Sequence, residues 1–362
     1  MGRSALLIGC NYPGTKAALQ GCVNDVWDFK QTLMECMGFD EDNIAIMVDT
    51  DQEYPQPTGK NIRAYLNKMV DEAEDGDLLF LHYSGHGTQL PTDDPEEPDG
   101  KNECICPSDL DVISDNDLTK IFAPLSKKNV KLTFVADCCH SGTLLDHKEV
   151  IITGPKDNKR PPPQANARSM EALQAALGAG DDSRDIQIRS LPLEVYKELL
   201  SGKLGGVDFG DLPVSLIKGF GDESMERWAR LFPVIADLQK RGQDTSKTLN
   251  TLRESAETLV GLKKAREPLN ENVGILLSGC LERECAADVR RKNSVPHGAF
   301  SHAVNMLLRQ MHKDGIIATN RSVNLGVRES LSKSGLKQSP CLEGSEKWAD
   351  AAFVLCDEEG SI

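Results

Sequence analysis

The sequence predicts an α/β fold, with a mostly parallel central sheet and helices on both faces. Three observations lead there. Short continuous apolar runs alternate with segments of helical period through residues 5–137. Those runs have the length and composition of strands buried on both faces. The chain, 362 residues with 39% hydrophobic and 27% charged residues, is long enough to bury a full core without staples.

The elements follow in order. "ALLIGC" (5–10) reads as a buried parallel strand. Residues 22–37 carry Val23, Val26, Trp27, Leu33, Met34 and Met37 at helical spacing, and Gly38 stops the run. "NIAIMV" (43–48) is a second strand. Thr58 caps a helix that keeps Ile62, Tyr65, Leu66, Met69, Val70 and Ala73 on one face and ends near Gly76. "DLLFLHY" (77–83) and "VKLTFVAD" (130–137) are the third and fourth strands. Residues 153–190 include "GPKDNKRPPPQANARS" and "GAGDDSRD", which cannot build a core and predict an exposed, mobile linker. Residues 191–270 carry a moderately amphipathic helical pattern. "NVGILLSGC" (272–280) is a further strand, a helix is expected at 297–313, and "AAFVLC" (351–356) is expected to close the chain as a strand. The chain thus divides into residues 1–150, an insertion at 151–270, and residues 271–362, which complete the same sheet.

Charge and cysteine content exclude several functions. The net charge of −15 argues against nucleic-acid binding, which needs clustered Lys and Arg, and suits basic substrates or hard cations. No apolar run approaches membrane-spanning length, and "SALLIGC" is too short for a signal-peptide core. Eleven cysteines, an odd number without a secretory signal, predict reduced thiols in a cytoplasmic compartment.

The chemistry gathers at two strand ends. "HYSGHG" (82–87) follows the third strand and "DCCHSG" (137–142) the fourth. Sites in open α/β sheets form beyond the carboxyl ends of strands, so neighbouring strands would bring His86 opposite a cysteine of the pair. That arrangement suits a thiol nucleophile with an imidazole base. Adjacent residues at a strand end point to opposite faces, so Cys138 and Cys139 cannot share one role, and His140 is a poor base for Cys139. A phosphatase is disfavoured, because Leu145 stands where such an enzyme needs Arg. A structural zinc site is disfavoured too, because Cys104-x-Cys106 and Cys138-Cys139 lack paired C-x-x-C spacing.

"HYSGHG" and "DCCHSG" resemble the His and Cys signatures of the metacaspases, cysteine peptidases of the caspase-like clan. "LLIGCNYPGTKAALQGCVNDV" (6–26) is similar to the opening of plant-type members, and "NVGILLSGC" and "HGAFSHAV" to the start of their small-subunit region. The long insertion, with no proline-rich stretch ahead of the catalytic region, resembles type II. The resemblance implies a caspase-like three-layer sandwich. It makes Cys139 the nucleophile and His86 the base, with the backbone N–H groups of Gly87 and Cys139 as oxyanion hole. It places Cys22, Asp25, Ser84 and Asp137 around a specificity pocket. Carboxylates there select Arg or Lys side chains, so the implied activity is an endopeptidase that cuts protein or peptide substrates after those residues. A non-enzymatic caspase-like scaffold is the alternative, and an acidic chain with a covering insertion suggests a monomer.

Two controls are expected. Residues 93–117 contain ten acidic residues and one basic one, Lys101, without EF-hand spacing. By resemblance a Ca²⁺ site maps onto Asp99, Asp115, Asn116 and Asp146, Asn116 replacing the commoner Asp and weakening the site. In "IRSLPLEV" (188–195), Arg189 is expected at the exposed end of the linker, as the autocleavage residue of a self-processing zymogen.

Overall fold

The computed structural model describes residues 2–91, 100–141, 144–145, 150–152, 184–203, 273–281, 284–292 and 294–354. The strands, in chain order, are β1 (Arg3–Gly9), β2 (Ile44–Val48), β3 (Leu78–Ser84), β4 (Gly87–Pro91), β5 (Lys101–Ile105), β6 (Ile113–Ser114), β7 (Lys131–Asp137), β8 (Val150–Ile152), β9 (Asp185–Ile188), β10 (Gly274–Ser278), β11 (Ala287–Arg290), β12 (His297–Gly298) and β13 (Cys341–Gly344). The α-helices are α1 (Cys22–Cys36), α2 (Gly59–Glu72), α3 (Asp115–Phe122), α4 (Leu193–Lys203), α5 (Ala299–Lys313), α6 (Asn320–Lys333) and α7 (Glu346–Ala349).

The central sheet has the order β2-β1-β3-β7-β10-β13-β8. Strands β2 to β10 in that order are parallel, and β13 and β8 run antiparallel at one edge. The chain steps from β1 outward to β2 and then back across to β3. Because such crossovers are right-handed, α1 and α2 fall on opposite faces of the sheet. On one face Ala5, Leu7, Phe80, Val135, Ile275 and Leu277 meet the buried sides of α1, α5 and α6 in one apolar cluster. Thr58 caps α2 by accepting from the Asn61 N–H, as its sequence position predicts.

Chain contacts define two units: residues 1–87, 104–190 and 268–362 form the larger, and 88–103 with 191–267 the smaller. The central sheet lies in the larger unit, as does the small sheet β12-β11-β9. In the smaller unit the Thr88 hydroxyl donates to the Leu191 carbonyl at 2.8 Å, ahead of α4.

Two expectations are corrected. The closing strand is β13, not 351–356. Residues 351–354 form bends with one isolated bridge, Thr319 to Ala352, because Phe353 is drawn into the core and its N–H donates to the Ala318 carbonyl. Arg189 is not at an exposed end: its side chain is wholly buried. Most of the expected mobile linker and helical insertion, 153–183 and 204–272, lies outside the described residues.

Candidate active site

The register of the central sheet assembles the site. β3 and β7 pair with Ser84 opposite Asp137, so His86 and Cys139 each lie two residues beyond a matched pair. Ser84 and Asp137 alternate in phase with Phe80 and Val135, and therefore face α1 and α5. Asp25, in the first turn of α1, receives the Ser84 hydroxyl at 2.8 Å. Asp137 receives the Ser301 N–H at 2.8 Å, from the first turn of α5. Carboxylates at both helix N-termini are favoured by the helix dipole.

Arg189 fills the pocket these residues form. Its Nη2 lies 2.8 Å from Asp25 Oδ2 and 2.8 Å from Asp288 Oδ1. Its Nη1 donates to the Ser84 hydroxyl at 2.6 Å and lies 3.2 Å from Asp137 Oδ2. Cys22, fully buried at the start of α1, sits beside the guanidinium; burial raises its thiol pKa and Arg189 opposes that shift. Burying an unpaired guanidinium would be costly, and three carboxylates around it explain how this one is tolerated. The surplus of negative charge also has an effect. Burial, with Asp137 close by, pushes Asp25 up to about 7 against the pull of Arg189.

Asp288 carries no motif and was not among the sequence-derived pocket residues. It stands on β11, and its carboxylate also accepts from the Gln20 and Gly21 N–H groups, which ties it to the loop before α1. Its only signal in the sequence is an acid within the apolar stretch "AADV". Gly298 forms the opposite wall: a Cβ there would lie 2.2 Å from Asp137 Oδ2 and 2.4 Å from Arg189 Nη1.

The Arg189 carbonyl accepts two backbone N–H groups, from Gly87 at 3.0 Å and from Cys139 at 3.2 Å. Gly87 must be glycine, since a Cβ would lie 1.8 Å from the Cys139 carbonyl oxygen. Ahead of this residue, β9 pairs antiparallel with β11, aligning Ile188, Gln187, Ile186 and Asp185 with Ala287 through Arg290. The peptide bond after Arg189 is thus presented as an added strand would present it.

His86 is buried, and its Nε2 lies 2.7 Å from the Ala17 carbonyl oxygen. A carbonyl only accepts, so Nε2 carries the proton and Nδ1, buried without a hydrogen bond, carries the free lone pair. Burial lowers the His86 pKa to about 4, so the ring is neutral near pH 7. Two tyrosines hold the loop: Tyr12 Oη accepts the His86 N–H at 2.9 Å, and Tyr83 Oη donates to the His86 carbonyl at 2.8 Å. The sequence gives no hint that Ala17 or these hydroxyls matter here.

The Cys139 Sγ accepts the Ala286 N–H at 3.0 Å. A hydrogen bond to Cys280 and burial raise its pKa far above the ordinary thiol range, so it is a neutral thiol in this state. Cys138 is also fully buried, but it faces the Cys106 and Tyr83 side of the sheet. His140 adopts a left-handed φ of 57°, and its Nε2 lies 3.4 Å from the Ser190 hydroxyl.

The expected Ca²⁺ ligands are only partly described. Asp115 and Asn116, both buried, open α3 behind a Ser114 capping box, while Asp99 and Asp146 lie outside the described residues. Among the described residues no group of three or more His, Cys, Asp or Glu side chains could hold a metal ion. The Asn116 Oδ1 is nevertheless buried without a hydrogen-bond partner.

Residues 3–148 match the family model described as metacaspase, peptidase C14 domain. Metacaspase-7 of Arabidopsis thaliana is 36% identical, the alignment covering 98% of this chain and all of the relative. Metacaspase-9 of the same plant is 33% identical over 97% of this chain and 96% of its own length. Metacaspase-1 of Emericella nidulans is 42% identical, but over only 42% of this chain and 38% of its own. Among solved structures, protein GSU0716 from Geobacter sulfurreducens superimposes with a TM-score of 0.53 over 97% of this chain and 98% of its own, at 16% identity, a likeness of fold alone. Among the described residues, no helix is long and apolar enough to cross a membrane.

Proposed function

The chain belongs to the metacaspase family and is a cysteine peptidase of the C14 type, and from that premise we propose that it cuts after Arg or Lys and first processes itself at Arg189–Ser190. One observation carries this reading. Arg189 has its guanidinium among Asp25, Asp137 and Asp288 and its carbonyl oxygen between the Gly87 and Cys139 N–H groups. That is how a substrate would lie, and the uncut linker therefore blocks its own enzyme.

In the reaction, His86 Nδ1 takes the Cys139 proton as Sγ turns from Ala286 to attack the Arg189 carbonyl carbon. Negative charge builds on the carbonyl oxygen, where the two N–H groups strengthen their hold. His86 then gives the proton to the Ser190 amine, which leaves, and water hydrolyses the thioester. The neutral imidazole, fixed by Ala17, starts in the form that a base requires. A chain that has to empty its own pocket before meeting other substrates is a zymogen.

Calcium activation fits the residues in view. Asn116 supplies a desolvated, unpaired carbonyl oxygen and Asp115 a buried carboxylate, both hard oxygen ligands. Bound there, Ca²⁺ would neutralise buried acid and order the adjacent segments.

The test uses matched fluorogenic peptides ending in Arg, Lys or Asp, with Ca²⁺ or a chelator, on wild type, Cys139→Ala and Arg189→Ala. Cleavage after Arg and Lys that needs Ca²⁺ and vanishes in Cys139→Ala is expected, with Arg189→Ala losing the principal cut in the chain. Equal processing of Arg189→Ala and wild type would overturn the autocleavage assignment. Full activity in chelator would overturn the calcium switch. A wild type that cuts none of the peptides would favour a scaffold.

A further inference from the structure

The nucleophile has thiol neighbours that the reaction does not use. Cys139, Cys280 and Ala286 form one buried cluster, with the partly exposed Cys285 packed against it. All these thiols are free. Their proximity follows from the sheet: β10 lies parallel beside β7 with Ser278 opposite Ala136, so Cys280 and Cys138 stand at equal distances beyond a matched pair. Cys139 is the next residue along, and its thiol is hydrogen-bonded to that of Cys280 within the same buried cluster, the contact that a disulfide would replace. Cys280 is fixed in place: its thiol reaches the Cys138 carbonyl at 3.5 Å and the Glu284 carbonyl at 3.4 Å. It is fully buried and plays no part in the pocket, the oxyanion hole or the positioning of His86.

We propose that Cys280 is a resolving thiol for Cys139, and that hydroperoxides convert the processed enzyme into a reversible Cys139–Cys280 disulfide. The inference rests on the reading of Cys139 as the nucleophile. While Arg189 fills the site, Cys139 is buried and its N–H is engaged, which shields it. Once the linker is cut and leaves, the thiolate formed by His86 meets solvent. Its sulfur attacks the hydroperoxide, breaks the O–O bond and becomes a sulfenic acid, while the departing oxygen takes a proton and leaves as water or an alcohol. The Cys280 sulfur then attacks the sulfenic sulfur, the S–O bond breaks, and hydroxide leaves with the Cys280 proton as water. Two thiols are oxidised and one peroxide is reduced. A dithiol restores both thiols, so the nucleophile is spared irreversible oxidation to the sulfinic acid.

The experiment treats the processed wild-type enzyme with hydrogen peroxide, maps its peptides without reduction, and assays activity before and after dithiothreitol. A cross-linked Cys139–Cys280 peptide is expected, about 2 Da lighter than its two thiol halves, with most activity regained on reduction. Cys280→Ser should lose activity at similar peroxide and fail to regain it, with Cys139 found as sulfinic acid. A cross-link to Cys285 or Cys138, or sulfinic acid at Cys139 of the wild type without any cross-link, would overturn the proposal. If Cys280→Ser does not fold, the wild-type peptide map decides alone. Iodoacetamide labelling of the reduced enzyme separates the two readings: activity surviving full alkylation of Cys139 would sink the nucleophile assignment, whatever the disulfide result.

Discussion

At Asp288 one carboxylate oxygen meets Arg189 at 2.8 Å, and the group also receives two backbone N–H bonds. A hydrogen bond to a charged partner is worth about 1.5–3 kcal/mol. Asp288→Asn should therefore lower kcat/KM for Arg peptides by about 10–100-fold, mainly through KM, in steady-state assays of the processed enzyme. Gly298 tests the pocket by volume. Its φ of −71° and ψ of 131° suit any residue, so space alone matters there. A Cβ would meet Asp137 and the Arg189 guanidinium, so Gly298→Ala should expel Arg189 and abolish Arg cleavage. Limited trypsinolysis checks it: the Arg189 bond should be cut faster in the variant than in the intact wild type.

The β9–β11 pair shows how much of recognition is backbone. All four β9 side chains are exposed, Ile188 at 53% and Ile186 at 43%, while Arg189 just beyond them is at 0%. On the proposed reading, the side chain after the strand would be selected and those within it would not. Ile186→Ser and Ile188→Ser should change the autoprocessing rate by no more than about twofold, since exposed substitutions cost within about 0.5 kcal/mol. A gel time course of the freshly activated chain reads this directly, and a tenfold loss would mean that deeper subsites exist. The α3 element shows a different economy. Its capping box holds the helix start that carries Asp115 and Asn116. Ser114→Ala should cost about 1 kcal/mol, read as a lower urea midpoint, and, on the proposed calcium switch, should raise the Ca²⁺ concentration at half-maximal activity.

At the scale of the molecule, buried titratable groups among the described residues favour a response to acid. His82 and His297 are lowered to about 3 and His86 to about 4, all chiefly by burial, against 6.5 for a free imidazole. Below pH 6.5 the unfolded chain protonates these rings and the folded chain does not, so stability falls as pH drops through that window. Asp25, raised to about 7, and Asp49, raised by burial, work the other way, because the folded chain holds their protons longer. Among the described residues, three such imidazoles outnumber the two raised carboxylates. The urea midpoint of the Cys139→Ala chain, chosen to prevent self-cleavage on the proposed mechanism, should therefore fall steadily from pH 6.5 to pH 4. A midpoint that rises over that range would mean the histidines are not neutral in the folded chain.

The sequence by itself determined the strand–helix alternation, the cap at Thr58, and the placing of His86 and Cys139 at strand ends. Each of these is local: apolar period, turn chemistry and the two-residue alternation of a strand are written along the chain. Of the pocket, Cys22, Asp25, Ser84 and Asp137 came from the resemblance to a known family, since taken singly each reads as an ordinary helix or strand-end residue. Asp288 and the Ala17 carbonyl were not, because their roles depend on contacts such as that between residues 288 and 189, or between residues 17 and 86. The closing strand was misjudged for a related reason: an apolar run can enter a core as a strand or as a plug, and only its neighbours decide. Arg189 shows the limit most plainly. Its sequence context is polar and linker-like, and a free arginine belongs in water. Only the tertiary structure gathers three carboxylates from α1, β7 and β11 around it, and paired charge is what lets a guanidinium be buried.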